Sequence, residues 1–273
     1  IQILTVTAGL IRYSYLIIYV DDVMCVHHNP IITMERIQAT YRLKKGIENP
    51  KMYLGTDMRK WSSTEEDGSQ SWCWALGSCS YVKEAVRVAE QLMTEYDLKY
   101  TTTRKKGMNT PFSNHEYRPE LDSTDFCNDN LHTVYQNLIG VLRWTCELGR
   151  IDILHETAIL SQYLAQSRIG HLMQCLNIFH YLKHHDRSWM LMDPISYDVH
   201  WVPKRGESSP QDRATAMKEI YVDAEDVLPH NIPVPLGKAI DINVFVDADH
   251  AGNRVTRRSH TGIIIYCNMA PIL

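Results

Sequence analysis

Near its start the chain gathers apolar, β-prone residues into two short runs, residues 15–20 and 23–26, separated only by the acidic pair Asp21 and Asp22. Two such runs around a polar break predict an antiparallel hairpin over 13–26 with carboxylates at its tip. From 33 to 44 the apolar positions Met34, Ile37 and Tyr41 recur at helical spacing, with Thr33 placed to cap a short helix and Gly46 to end it. Tyr53-Leu54-Gly55, a polar stretch over 62–71 and an alternating run over 71–81 together predict a second hairpin. The next segment, 82–96, sets Val86, Ala89, Leu92 and Met93 on one face of a helix and Lys83, Glu84, Arg87 and Glu90 elsewhere.

Periodicity lapses over 97–129, where Pro111, Pro119 and clustered Thr, Asn, Asp and Lys predict a loop or linker. Helical spacing returns from 130 to 185 in apolar stripes such as Val134, Leu138, Val141 and Leu142, then Ile159, Leu160, Tyr163 and Leu164, then Leu172, Leu176, Phe179 and Leu182. Three antiparallel helices, broken at Gly149 and over 167–170, fit this pattern. A strand at 189–192 leads into a polar, proline-containing region over 193–236. A strand at 242–246, the run Asp247-Ala248-Asp249, a turn with Gly252 and a strand at 262–267 follow. The pattern predicts an α+β protein divided into 1–96, 97–192, a linker over 193–241, and 242–273.

With 273 residues, 44% hydrophobic and 22% charged, the chain can bury one or two cores and is neither disordered nor fibrous in composition. Its 28 Lys and Arg against 32 Asp and Glu give a formal charge of -4. That balance argues against gripping nucleic acid by bulk charge and leaves local basic patches open. The 7 cysteines, with no CxxC spacing, predict reduced thiols inside a cell and neither a disulfide framework nor a zinc ribbon. The longest apolar stretch, residues 15–20, falls far short of the roughly 20 residues a membrane-spanning helix needs. No signal-peptide pattern follows Ile1, and both ends are expected to be cut from a longer protein.

Adjacent carboxylates at a hairpin tip repel each other unless water screens them or a cation sits between them. An all-oxygen donor set suits Mg²⁺ or Mn²⁺, and a plain polar turn is the alternative for Asp21 and Asp22. Asp247 likewise admits a metal-binding role or a capping role at a strand end. His180 with His184, and Cys25 with His27 and His28, have ligand chemistry but no complete four-ligand set, and read as ordinary side chains. The basic stretches Lys99, Arg104, Lys105, Lys106 and Arg254, Arg257, Arg258 fit either phosphate contacts or solvated loops. Trp72 and Trp74, two apart on a strand, share one side and read as core residues.

The run Ile17-Ile18-Tyr19-Val20-Asp21-Asp22 resembles the catalytic palm hairpin of reverse transcriptases from Ty1/copia-type retrotransposons. Tyr53-Leu54-Gly55 sits where that family carries its primer-gripping hairpin. Tyr135-Gln136-Asn137-Leu138-Ile139-Gly140, Gly170-His171-Leu172 and Tyr181-Leu182-Lys183 are similar to the family's helical thumb and connection region. Val246-Asp247-Ala248-Asp249-His250-Ala251-Gly252, with Arg257-Arg258-Ser259-His260-Thr261-Gly262, is similar to the opening hairpin of its ribonuclease H domain. The matches follow the family's order across nearly the whole chain.

The resemblance implies RNA-directed DNA synthesis by two-metal nucleotidyl transfer with Mg²⁺ or Mn²⁺. Asp21 and Asp22 would be two of the three polymerase carboxylates, and Asp247 the first metal ligand of the ribonuclease H site. Tyr19, Tyr53, Leu54 and Gly55 would contact nucleic acid. The implied partners are an RNA template, a DNA primer and deoxynucleotide triphosphates, with no membrane. The implied setting is intracellular: a cytoplasmic particle, with the nucleus as a further compartment. The third polymerase carboxylate and the finger elements would precede Ile1, and the other ribonuclease H acids would follow Leu273, so this stretch alone is expected to be inactive. Two other readings stay open: a non-catalytic retroelement relic, and a helical protein-interaction module over 130–185 joined to unrelated hairpins.

Overall fold

The computed structural model describes residues 2–7, 10–27, 29–43, 46–64, 68–100, 109–112, 117–195, 231 and 240–272. Most of the linker expected over 193–241 lies outside the described residues, as do 101–108 and 113–116 of the 97–129 segment, with Arg104, Lys105 and Lys106 among them. His28, Lys44 and residues 65–67 of the second hairpin's tip also lie outside.

The first apolar runs form an antiparallel sheet in the order β1 (Gln2–Thr7), β2 (Leu10–Tyr19), β3 (Asp22–Val26). Helix α1 (Pro30–Thr40) follows, and its boundaries differ from the expected 33–44 at both ends. Pro30 starts it because the first helical position loses nothing by lacking an N–H, and Tyr41 ends it by turning extended well before Gly46. None of its residues is buried.

A second antiparallel sheet has the order β4 (Met52–Tyr53), β5 (Thr56–Thr64), β6 (Gln70–Gly77), β7 (Trp189–Met192). The β5–β6 hairpin is the one the alternating pattern predicts. The strand at 189–192 is also where the sequence places it, but its partner comes from far upstream: β7 pairs with β6 from Gly77↔Trp189 to Trp74↔Met192. Gly77 permits this approach, since a Cβ there would stand 2.7 Å from the Ser188 carbonyl oxygen.

Helix α2 (Cys79–Glu95) begins slightly ahead of the expected 82. Helices α3 (Asp129–Glu147), α4 (Leu154–Ser161) and α5 (Ile169–His184) follow, with breaks at the two predicted places. The Asn128 side chain accepts the Leu131 N–H at 2.9 Å and caps α3. Val82, Ala85, Val86 and Ala89 of α2 lie in one buried cluster with Val134, Leu138 and Leu142 of α3 and Leu172, Leu176, Phe179 and Leu182 of α5. The segments on either side of residues 97–129 therefore share a core.

The helical motifs are mechanical pins in this packing. The Tyr135 hydroxyl donates to the Leu160 carbonyl at 2.6 Å, and the Gln136 amide donates to the Leu164 carbonyl at 2.9 Å, binding α3 to α4. His171 is buried with Nε2 3.0 Å from the Pro119 carbonyl, and its Nδ1 accepts the Arg168 N–H at 3.1 Å at the start of α5. At the α3–α4 corner, Arg150 is 1% exposed. Its Nε and Nη2 each donate to the Asp152 carboxylate at 2.8 Å, and Tyr181 of α5 donates to the same group at 2.9 Å.

The third sheet is a meander in the order β10 (Ala270–Pro271), β9 (Thr261–Cys267), β8 (Ile242–Ala248). Val244, Phe245, Val246 and Ile263 in it are exposed. All described cysteines are free. Burial pushes the Cys146 thiol up to about 11, which keeps it protonated and unreactive. Among the described residues no helix is long and apolar enough to cross a membrane.

Two measurements check this packing. A Cβ at Gly170 would fall 1.8 Å from Asp122 Oδ2, and Asp122 cannot swing away without losing its bonds from Tyr117 and Thr124. Gly170→Ala should therefore cost about 1–3 kcal/mol in urea unfolding. The second measurement concerns pH. Burial raises the Asp122 and Asp152 pKa values, but hydrogen bonds to their ionised forms outweigh it and hold both below the usual carboxylate range. Burial pushes His171 below its ordinary value. In each case the unfolded chain binds protons more readily than the folded one, so stability rises with pH. It should fall as the solution passes below about pH 6.5 and fall again below about pH 4. A flat profile across the first interval would contradict the neutral, buried state of His171.

Candidate functional site

Tyr19 pairs with Asp22 in the β2–β3 ladder, so the hairpin closes through only Val20 and Asp21. Val20 has φ 53, a conformation ordinarily given to glycine, and Asp21 does not share the positive sign. A β-branched residue in the left-handed region costs about 1–2 kcal/mol. Val20 is 87% exposed, so no packing of its side chain offsets this strain. Strain of this kind, concentrated at a tip that carries two carboxylates, is typical of a functional turn. Asp21 and Asp22 are both exposed, as is Tyr19.

The β4–β5 turn is equally tight: Tyr53 pairs with Thr56 across Leu54 (φ 50) and Gly55 (φ 82), the type I′ pattern. Helix α3 lies against it, with Leu148 Cδ1 3.6 Å from where a Gly55 Cβ would stand. Met24 of β3, Tyr53, Leu54, Trp144 and Leu148 line a shared cleft of about 310 Å³. Tyr53 is half-buried, and its hydroxyl is shielded from solvent without a hydrogen-bond partner among the described residues. Burial and the neighbouring Asp22 charge push its phenol above the ordinary value. The fold thus brings Tyr53 and Leu54 to the cleft that Met24 of β3 lines, within electrostatic reach of Asp22. No local pattern announces this approach, because it depends on how α3 seats the second turn.

Asp247 stands apart on β8, opposite Gly262, exposed, with its Oδ1 accepting the Ala248 N–H at 2.9 Å. Asp249 is committed to its own loop. It accepts the His260 N–H at 2.7 Å and the Gly252 N–H at 3.3 Å, and its other oxygen lies 3.1 Å from His260 Nδ1. Those bonds, the His260 backbone N–H foremost, hold its carboxyl below the usual range. Among the described residues no three His, Cys, Asp or Glu converge on a common metal position. Asp21 with Asp22, and Asp247, are therefore separate positions. The first offers two adjacent, exposed oxygen donors, which fits a hard cation but supplies an incomplete cage.

The remaining candidates resolve simply. His180 is buried and stacks on Tyr100 at 4.5 Å, with His184 edge-on at 4.8 Å. Cys25 is half-buried beside Thr33. Trp72 and Trp74 do share a side, where both face Lys60, but Trp72 is 60% exposed and stands outside the core that the sequence assigns it. It lies where β6 runs beyond the stretch paired with β7, so no third strand extends the sheet beside it.

Replacing the strained residue tests the turn: Val20→Gly should raise stability by about 1 kcal/mol, measured by thermal or urea unfolding. Destabilisation of similar size would mean that Val20 is not held in the left-handed region. No protein-family model, curated protein or solved structure matches the chain.

Proposed function

We propose that this chain is part of a Ty1/copia-type retroelement polyprotein whose activity is RNA-directed DNA synthesis, with a ribonuclease H-like portion beginning near residue 242. The observation that carries the proposal is the β2–β3 tip. A strained, solvent-facing two-residue turn holds Asp21 beside Asp22, and Tyr53 from a second tight turn shares a cleft with Met24 on the strand that Asp22 begins. A plain polar turn has no need of a valine at φ 53.

In this reading Asp21 and Asp22 hold Mg²⁺ or Mn²⁺ together with ligands from the nucleotide. Two such ions, when bound, would supply a more acidic primer hydroxyl and neutralisation of the triphosphate leaving group. The chain's own contribution is placement. The two-residue closure holds both carboxylates at the surface, with the Asp22 charge felt at Tyr53. Leu54 and Gly55 present a narrow turn where a primer end would rest, and Tyr19 flanks the acids on the paired strand. The RNA template, DNA primer and nucleotide partners belong to the same proposal, as does Asp247 as a nuclease ligand. The palm, thumb and ribonuclease H-like labels for 1–96, 97–192 and 242–273 belong to it as well.

The helical-module alternative fits less well, because α2 completes the core of α3 and α5 and β7 joins β6. A catalytically silent relic would keep the same geometry at the tip.

Mn²⁺ titration followed by electron paramagnetic resonance tests the site. The intact chain should bind with a Kd on the order of 10⁻³ M, as expected of an incomplete carboxylate site. The Asp21→Asn, Asp22→Asn double variant should lose that binding about tenfold or more, a loss of about 1.4 kcal/mol. Equal binding by both proteins would remove the metal-site reading.

A further inference from the structure

We infer that the loop joining β8 to β9 is a preformed platform for the phosphate backbone of a nucleic acid, gripped by Arg254, Arg257 and Arg258. The identity of the ligand rests on the reading above; the site itself rests on the loop.

Residues 250–260 carry three arginines and no carboxylate, in a chain whose net charge is -4. All three arginines are exposed. Among the described residues none of their guanidinium groups has an ion pair or hydrogen bond. Surface arginines on a mobile loop would mean little, but this loop is tied down from within. Asn253 Oδ1 accepts the N–H groups of Val255 at 3.1 Å and Thr256 at 2.7 Å, and Ser259 Oγ accepts that of Ala251 at 3.0 Å. Backbone bonds close it further, from Arg257 N to Asn253 O at 2.8 Å and from Asn253 N to Arg258 O at 3.1 Å.

The loop is also seated on the helical body. The Arg254 N–H donates to Glu120 Oε1 at 3.0 Å, His260 Nε2 lies 3.2 Å from the Gln162 amide, and the His155 ring meets His260 edge-on at 6.4 Å. Of the acids that line the space between the loop and the helices, Glu120 is engaged by the Arg254 backbone and Asp249 by His260 and Gly252, while Glu156 comes from α4. Cations held on a rigid frame lose little entropy when they dock, which is the condition for a productive contact. Guanidinium matches phosphate geometry through paired N–H donors, and contacts of this kind set register without reading sequence. A protein surface of opposite charge is the competing partner, and its preference for carboxylates would not follow phosphate spacing.

Anisotropy of a short fluorescein-labelled RNA–DNA hybrid, titrated with the whole chain in EDTA, tests the inference without any metal at Asp21, Asp22 or Asp247. The Arg254→Gln, Arg257→Gln, Arg258→Gln variant should bind about tenfold more weakly or worse, and its log K against log salt slope should shrink by about 3. Asp249→Ala supplies an opposed pair of outcomes. By charge alone it should tighten binding, whereas loss of the loop's frame should weaken it, as the inference requires. An arginine variant that binds like the parent, with the same salt slope, overturns the platform while leaving the polymerase reading intact. A parent chain that binds no hybrid overturns the platform together with the proposed nucleic-acid partners, while the Mn²⁺ result still stands or falls by itself.

Discussion

The guanidinium of Arg150 is buried where almost no water reaches it, at the corner between α3 and α4. A charge in that position must be met by an opposite charge, or the corner would not close. Asp152 meets it with two parallel hydrogen bonds, and Tyr181 reaches over from α5 to the same carboxylate. Three consecutive turns of architecture are thereby joined at one point. Gly149, just ahead, lets Met190 of β7 come close: a Cβ there would lie 2.8 Å from the methionine methyl carbon. Ile151 and Leu154, just after, form one wall of an apolar groove whose other wall is β9. The helical core, the second sheet and the third sheet meet around this ion pair.

The same corner governs the candidate site at a distance. Trp144 in the last turn of α3 and Leu148 just after it receive the Leu54-Gly55 turn. That seating in turn brings Tyr53 to the cleft that Met24 of β3 lines. The chemistry assigned to the β2–β3 tip therefore depends on a packed helix end, although the tip itself is a local hairpin with no buried support for Val20.

Several residues that the sequence marks as belonging to a pattern turn out to serve packing. Tyr135 and Gln136 hold α3 to α4, His171 caps α5 from a buried position, and Gly170 makes room for the Asp122 carboxylate. Asp249 organises a loop and Gly252 exists to admit it. Among the described residues the exposed groups of the candidate sites are Asp21 and Asp22 at one tip, Asp247 on another sheet, and Arg254, Arg257 and Arg258 in the loop that follows it. The proposed sites sit on edges and turns, and the helices between them supply placement.

Local periodicity was enough to locate both hairpins, helices α2 to α5 and the strands at 189–192 and 242–267, because burying one face at a fixed repeat is a property each segment carries within itself. It was enough, too, to put two carboxylates at a hairpin tip. The ends of α1 escaped it because that helix buries nothing, so only Pro30 and Tyr41 mark its limits. Tertiary structure alone decided that β7 completes the β4–β6 sheet, that Tyr53 approaches Asp22, and that Trp72 faces solvent. Each of these depends on which distant element arrives beside a residue, and a chain's nearest neighbours along the sequence exert no force that specifies it.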